Sequence, residues 1–333
     1  MRVRSLLRAI TGVRAGGAAG AAPHAATFAA GQGLLPDEAT LGRLRRFSLN
    51  HGLRPVDGLV GEHRSRRRGA APEFSDFSPY TPGDDMRRID WNAYARFETL
   101  YVRESEVTTE LDVHLLIDAS ASMAWQAAGR ESKLRLAQRT GALLAWIALA
   151  RADRITIAAL GGERTEPFGP VQGRGMVVPA VTHLAGIDGG GSAPLLDAVE
   201  RYAHARPRSG LLIVVSDLIG VEPEALDRTL AGLANRRWRV VILHVEDALE
   251  ADPSALAAAH EVIEIEDPES RQRQRVNLQP DTVGRYVRGR DAWLTDLVTT
   301  ATRRSVPLVR LSAGMRTDPD MLLRLERAGV IVA

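Results

Sequence analysis

A chain of 333 residues with 45% hydrophobic and 25% charged side chains carries enough apolar material for a packed core, as two domains or as one α/β domain with an elaborated flank. Cysteine is absent, which excludes disulfides, thiolate zinc sites and cysteine nucleophiles. Of 43 basic residues only Lys133 is a lysine; the net charge is +2, and Arg2, Arg4, Arg8 and Arg14 all precede the first acidic residue, so the rest of the chain is slightly acidic and nucleic acid is not expected as the main partner.

Residues 1–36 form a low-complexity Ala/Gly/Arg-rich leader, expected to be disordered, without the leucine-rich segment of a signal peptide. No apolar stretch approaches the roughly 18 residues that span a bilayer. The expected location is therefore cytoplasmic or membrane-peripheral, with no integral membrane segment. Behind Asp37, Leu41, Leu44 and Phe47 recur at helical spacing. That helix opens a stretch, 37–110, expected to form a small, loop-rich, partly β N-terminal subdomain. It contains the run Arg64-Ser-Arg-Arg-Arg68, read as a solvated charge run, and the segment Tyr80-Thr-Pro-Gly-Asp-Asp-Met-Arg-Arg-Ile-Asp-Trp91.

From Leu111 onward, strands and helices alternate. Apolar runs predict strands at Val113–Ile117, Arg154–Leu160, Leu211–Ser216, Val240–Val245 and Val306–Leu311. Helices are predicted at Lys133–Ala150, Met176–Ala185, Pro194–Ala205, Pro223–Asn235, Thr282–Arg303 and Pro319–Ala328. The pattern implies an α/β fold with a doubly wound, mostly parallel sheet over 111–333. A hairpin insertion near 261–278 is expected around Asp267-Pro268-Glu269-Ser270.

Three predicted strand-end loops carry oxygen ligands. The first is Asp118-Ala-Ser120-Ala-Ser122, directly after a buried strand. The second is Gly189-Gly190-Gly191-Ser192, whose glycines permit close backbone approach. The third is Ser216-Asp217. In a doubly wound sheet such loops gather at the switch point, where ligands bind. Asp118, Asp217, Ser120, Ser122 and Ser192 are hard donors, suited to Mg²⁺ (or Mn²⁺ or Ca²⁺) and not to a soft metal. Two carboxylates balance a divalent ion, and a remaining open position would accept a carboxylate from a protein partner.

This constellation resembles the metal-ion-dependent adhesion site of von Willebrand factor A domains. There a D-x-S-x-S string, a threonine in a second loop and an aspartate in a third hold the ion. The resemblance implies those roles for Asp118, Ser120, Ser122, Ser192 and Asp217. Ser192 stands where the family usually has threonine, keeping the hydroxyl without the stiff β-branched side chain.

The upstream segment, followed by Ala93, Ala95-Arg96 and Val102-Arg103-Glu104, resembles the bacterial family called domain of unknown function 58. In that family Y-x-P-G-D-D-x-R-x-I-D-W precedes an A-domain-like half, and the similarity covers the chain from about residue 37. Within the segment, Asp84, Asp85, Arg87 and Asp90 read as an ion-pair and hydrogen-bond network with Trp91 as anchor; a second metal or catalytic cluster and a partner-docking surface are the alternatives. The resemblance further implies partnership with a MoxR-type AAA+ ATPase.

Missing motifs narrow the chemistry. There is no G-x-x-x-x-G-K-[ST] and no G-x-S-x-G, which excludes a P-loop and disfavours an α/β hydrolase. The expectation is a non-enzymatic, metal-dependent interaction module serving as adaptor or co-chaperone. A metal-dependent phosphatase or nuclease, with Asp118 as nucleophile, and a cell-surface adhesin are the alternatives.

Overall fold

A computed structural model of the chain describes residues 33–50, 74–80, 89, 91–97, 99–105, 111–126, 130–162, 166–266, 272–313 and 318–333. Most of the leader, the arginine run at 64–68, the tip of the expected hairpin at 267–270, and Asp84, Asp85, Arg87 and Asp90 lie outside the described residues. The chain divides into two compact units, one formed by residues 1–57 with 111–333 and the other by residues 58–110.

In chain order the elements are α1 (Glu38–Leu44), β1 (Ser48–Leu49), β2 (Phe74–Pro79), α2 (Trp91–Phe97), β3 (Tyr101–Ser105), β4 (Asp112–Asp118), α3 (Lys133–Ala150), β5 (Arg154–Leu160) and β6 (Phe168–Gln172). Then come α4 (Val177–Ala185), α5 (Leu195–His204), β7 (Leu211–Ser216), α6 (Pro223–Asn235), β8 (Arg239–Asp247), α7 (Ala248–Ala251) and α8 (Ser254–Ala259). The last are β9 (Val262–Glu266), β10 (Arg273–Asn277), α9 (Pro280–Arg303), β11 (Leu308–Ala313), α10 (Asp318–Arg327) and β12 (Ile331–Val332).

The smaller unit contains β2 and β3, paired antiparallel with Phe77 opposite Arg103, and the short helix α2. Trp91, expected as an anchor, is 64% exposed and meets Tyr94 edge-on, their ring centroids 6.3 Å apart. One turn of helix puts these two rings side by side on a face that does not bury them.

The larger unit is built on a six-stranded sheet of order β11-β8-β7-β4-β5-β6, with only β6 antiparallel. Side chains alternate along its strands, as the period of two requires. Val113, Leu115 and Ile117 of β4 face a core shared with α1, α3, α4 and α10. Leu116, with Leu212 and Val214 of β7, faces the opposite core against α5, α6 and α9. The sheet is thus mostly parallel and covered by helices on both faces, consistent with the doubly wound α/β architecture expected.

Helix α1 and β1 belong to the larger unit, not with the rest of 37–110 as grouped from sequence. Leu44, Phe47 and Leu49 are buried in the first core, and β1 pairs antiparallel with β12. The insertion is present as the antiparallel pair β9–β10, with Ile265 opposite Gln274. Ile265 and Val276 pack on Val283 and Tyr286 of α9 in a small separate cluster. Among the described residues no helix is long and apolar enough to cross a membrane.

Candidate metal centre

Strand order positions the site. After β4 the chain lays β5 on one side, and later returns to lay β7 on the other, so β4 and β7 flank the switch point. Their register, Ile117 beside Val215, brings Asp118 level with Ser216 and Asp217 at the carboxyl edge. There Ser216 Oγ donates to Asp118 Oδ2 at 2.5 Å, while Ser120 N–H donates to Asp118 Oδ1 at 2.9 Å. Ser120 Oγ and Ser122 Oγ are 3.0 Å apart.

The glycine loop is fastened to this turn by backbone. Gly190 and Gly191 N–H both donate to the Ala119 carbonyl at 3.0 Å, and Ala121 N–H donates to the Gly191 carbonyl at 2.9 Å. Ser120 and Gly191 pair as an isolated parallel bridge. A Cβ on Gly191 would lie 1.1 Å from the Gly161 carbonyl oxygen, so only glycine allows this approach.

Of the five expected residues, Asp118, Ser120, Ser122 and Asp217 converge and are buried, at 3–7% exposure. Ser192 follows the bridged Gly191 but is itself exposed, on the solvent side of the loop. Ser192 is thus the exposed member of the five, and the two carboxylates are enclosed.

Three further groups join the cluster, and sequence reasoning did not place them there. Lys133, at the first turn of α3, is 0% exposed; its Nζ donates to Asp217 Oδ2 at 2.7 Å and to Glu250 Oε1 at 2.6 Å. Glu250 lies in α7, in a capping box with Asp247. Ser216, read only as the neighbour of Asp217, holds Asp118. A signal for Lys133 was present: a lysine at the first position of a helix opposes the helix dipole unless a carboxylate answers it. Glu250 gave no such signal.

Electrostatically the two aspartates differ. Burial, with the Asp217 charge adding to it, pushes the Asp118 carboxyl up to about 6. Burial pushes Asp217 the same way, but Lys133 overrides it and holds Asp217 below the ordinary carboxylate range. Glu250 is raised by its burial in spite of Lys133. Among the described residues no basic side chain pairs with Asp118. Three buried carboxylates against one ammonium leave two negative charges, concentrated towards Asp118.

Those features fit a hard divalent cation. The donors are carboxylate and hydroxyl oxygens, and Asp118 is a buried carboxylate lacking a counter-charge among the described residues. Among the same residues no group of three or more His, Asp or Glu side chains is arranged to hold a metal, so the fit depends on the serine hydroxyls.

An α/β protein with a polar cluster at the switch point of a mostly parallel sheet is the class that fold and site define. The chain belongs to the family described as "Protein of unknown function DUF58", whose model matches residues 76–292. It is similar to uncharacterized proteins of Mycobacterium bovis (Mb1516) and Mycobacterium tuberculosis (MT1527 and Rv1480), each 26% identical over 276 residues, covering 82% of this chain and 83% of the relative. A crystal structure of an uncharacterized membrane-spanning protein from Vibrio fischeri is 17% identical and covers 66% of this chain and 97% of its own. Its TM-score of 0.21 is too low to compare folds.

Proposed function

We propose that the larger unit is a von Willebrand factor A-like module that binds a divalent cation, Mg²⁺ in the cell, at Asp118, Ser120, Ser122, Ser192 and Asp217, and recruits a protein partner there. The observation that carries this reading is the pair of buried aspartates at the switch point, one of them with no cationic partner among the described residues, beside two converging hydroxyls. When bound, the cation supplies a positive centre that attracts a carboxylate.

The chain's own residues do the rest. Ser216 and the Ser120 N–H fix both oxygens of Asp118, and Lys133 and the Ile219 N–H fix both oxygens of Asp217. The donors are thereby preorganised, so ordering them costs little on binding. Exposed Ser192 offers its hydroxyl on the side from which an Asp or Glu of a partner arrives.

An adaptor role beside a MoxR-type AAA+ ATPase rests on the family resemblance: the ATPase supplies energy and this protein selects what it acts on. The test is capture of the ATPase by the full chain with Mg²⁺, with EDTA, and with Asp118→Ala. Capture in Mg²⁺ alone, lost in the other two, is expected; equal capture in all three overturns the metal-mediated reading.

A further inference from the structure

Forty-two of the 43 cationic positions in this chain are arginine, and the single lysine is the side chain buried at Asp217. Lysine is almost never fully buried unless it is paired. Here the pairing is double, at 2.7 and 2.6 Å, to one carboxylate in the loop after β7 and another in α7, which follows β8. A guanidinium is a planar fork suited to one carboxylate lying in its own plane; an ammonium is a compact point charge that two carboxylates can approach from different directions. The position also opposes the positive end of α3, whose first turn holds no acidic residue, so local helix energetics do not account for it. The two carboxylates account for it.

We propose that Lys133 is the resident cation of the site: it holds Asp217 and Glu250 in place without metal, and by its charge keeps divalent binding weak and exchangeable. The inference rests on the metal-site reading and adds how that site is regulated. Removing the ammonium leaves three buried carboxylates with no counter-charge among the described residues, and a divalent ion can then supply it. With Lys133 present, the ion enters a site where one of the three carboxylate charges is already compensated, and it dissociates readily. A partner carboxylate then adds what the site lacks, so partner and metal hold each other.

The experiment uses the full chain and Mn²⁺ as probe, with affinity read by electron paramagnetic resonance and Tm by calorimetry in EDTA and in excess Mn²⁺. Wild type is expected to bind weakly, its Tm rising by no more than about 2 °C with metal. Lys133→Met is expected to bind at least about tenfold tighter, with a Tm several degrees below wild type in EDTA and recovered by Mn²⁺. Affinity in Lys133→Met equal to or weaker than wild type overturns the proposal. If that variant is not recovered in either buffer, Lys133→Met combined with Glu250→Gln restores the formal charge. It is expected to fold in EDTA and bind within about threefold of wild type, and a tenfold change in either direction overturns the charge account. Asp118→Ala separates the two readings. Mn²⁺ binding that needs Asp118 but ignores Lys133 sinks only the present inference; binding absent from every variant, or indifferent to Asp118, sinks the metal site with it.

Discussion

Asp118 and Lys133 are opposite answers to the same problem of burying charge. Lys133 is enclosed with two anions at hydrogen-bond distance. Asp118 is enclosed with hydrogen bonds from a hydroxyl and a backbone N–H but no cation among the described residues, and its carboxyl rises to about 6. A carboxyl whose folded value lies above its ordinary 3.8 contributes stability that is fully present below 3.8 and is lost as pH rises through 6. At about 1.4 kcal/mol for each pH unit separating those two values, ionised Asp118 costs the metal-free fold about 3 kcal/mol at neutral pH. Asp118→Asn keeps the shape and drops the charge. In EDTA at pH 8 it should be more stable than wild type by about 1–2 kcal/mol, after the weakened Ser216 contact. By pH 4 the advantage should vanish; urea denaturation at the two pH values reads both. What the sequence showed at this scale was the local part of the site. Asp118, Ser120 and Ser122 are legible because they are two apart in one turn, whereas Lys133 and Glu250 meet across 117 residues and nothing local records their pairing.

Elements were legible where burial is complete. β5, β7, α3 and α6 form over the residues expected, since a strand buried on both faces reads as an unbroken apolar run and a long helix as a long stripe. β6 was not foreseen. Phe168-Gly-Pro-Val-Gln172 is short, half-exposed and contains Gly and Pro, which fits an edge strand and gives no apolar run. The short helices α7 and α8 were missed for want of length, and with α7 went Glu250. Helix α3 joins fold to site: Leu136 and Leu143 sit in the core at 0% exposure while Lys133 sits at its tip. Those two duties separate along its length. Leu143 is ten residues from Lys133, roughly 15 Å at the helical rise. Leu143→Ala should therefore cost about 3 kcal/mol in denaturation, the price of a cavity. Its Mn²⁺ affinity should equal that of wild type. A loss of affinity matching the loss of stability would mean that core and site are not independent.

At the scale of the whole unit, the cluster at the switch point is one end of a buried polar chain. Asp217 is tied to Lys133 and Lys133 to Glu250, and the Glu250 carbonyl accepts from Tyr286 Oη of α9 at 2.5 Å. One helical turn further along α9, Arg290 pairs with Glu246 of β8, whose carboxyl is held at about 2: burial opposes ionisation, but His244, 3.7 Å away, and Arg290, which hydrogen-bonds the carboxylate, prevail. Arg310 of β11 reaches the same carboxylate at 3.0 Å. Each of these links is buried or half-buried, so a change of charge at Asp217 is poorly screened along it. Lys133 is the joint through which the cation would be felt, because it shares its protons between the site and α7. Divalent binding should consequently slow amide exchange in two places: in the loops at 118–122, 189–192 and 217–220, and in α7 with the first turns of α9 around Tyr286. Among the described residues, strands β9 and β10 meet that part of α9 through an apolar cluster that includes Ile265, Val276, Val283 and Tyr286, and their exchange should stay unchanged. Hydrogen-exchange mass spectrometry with Mn²⁺ against EDTA measures all three regions at once. In Lys133→Met the protection of the three loops should persist while that of α7 and α9 disappears, because the joint is gone. Protection of α7 that survives the loss of Lys133 would place the coupling in the backbone of β8 instead.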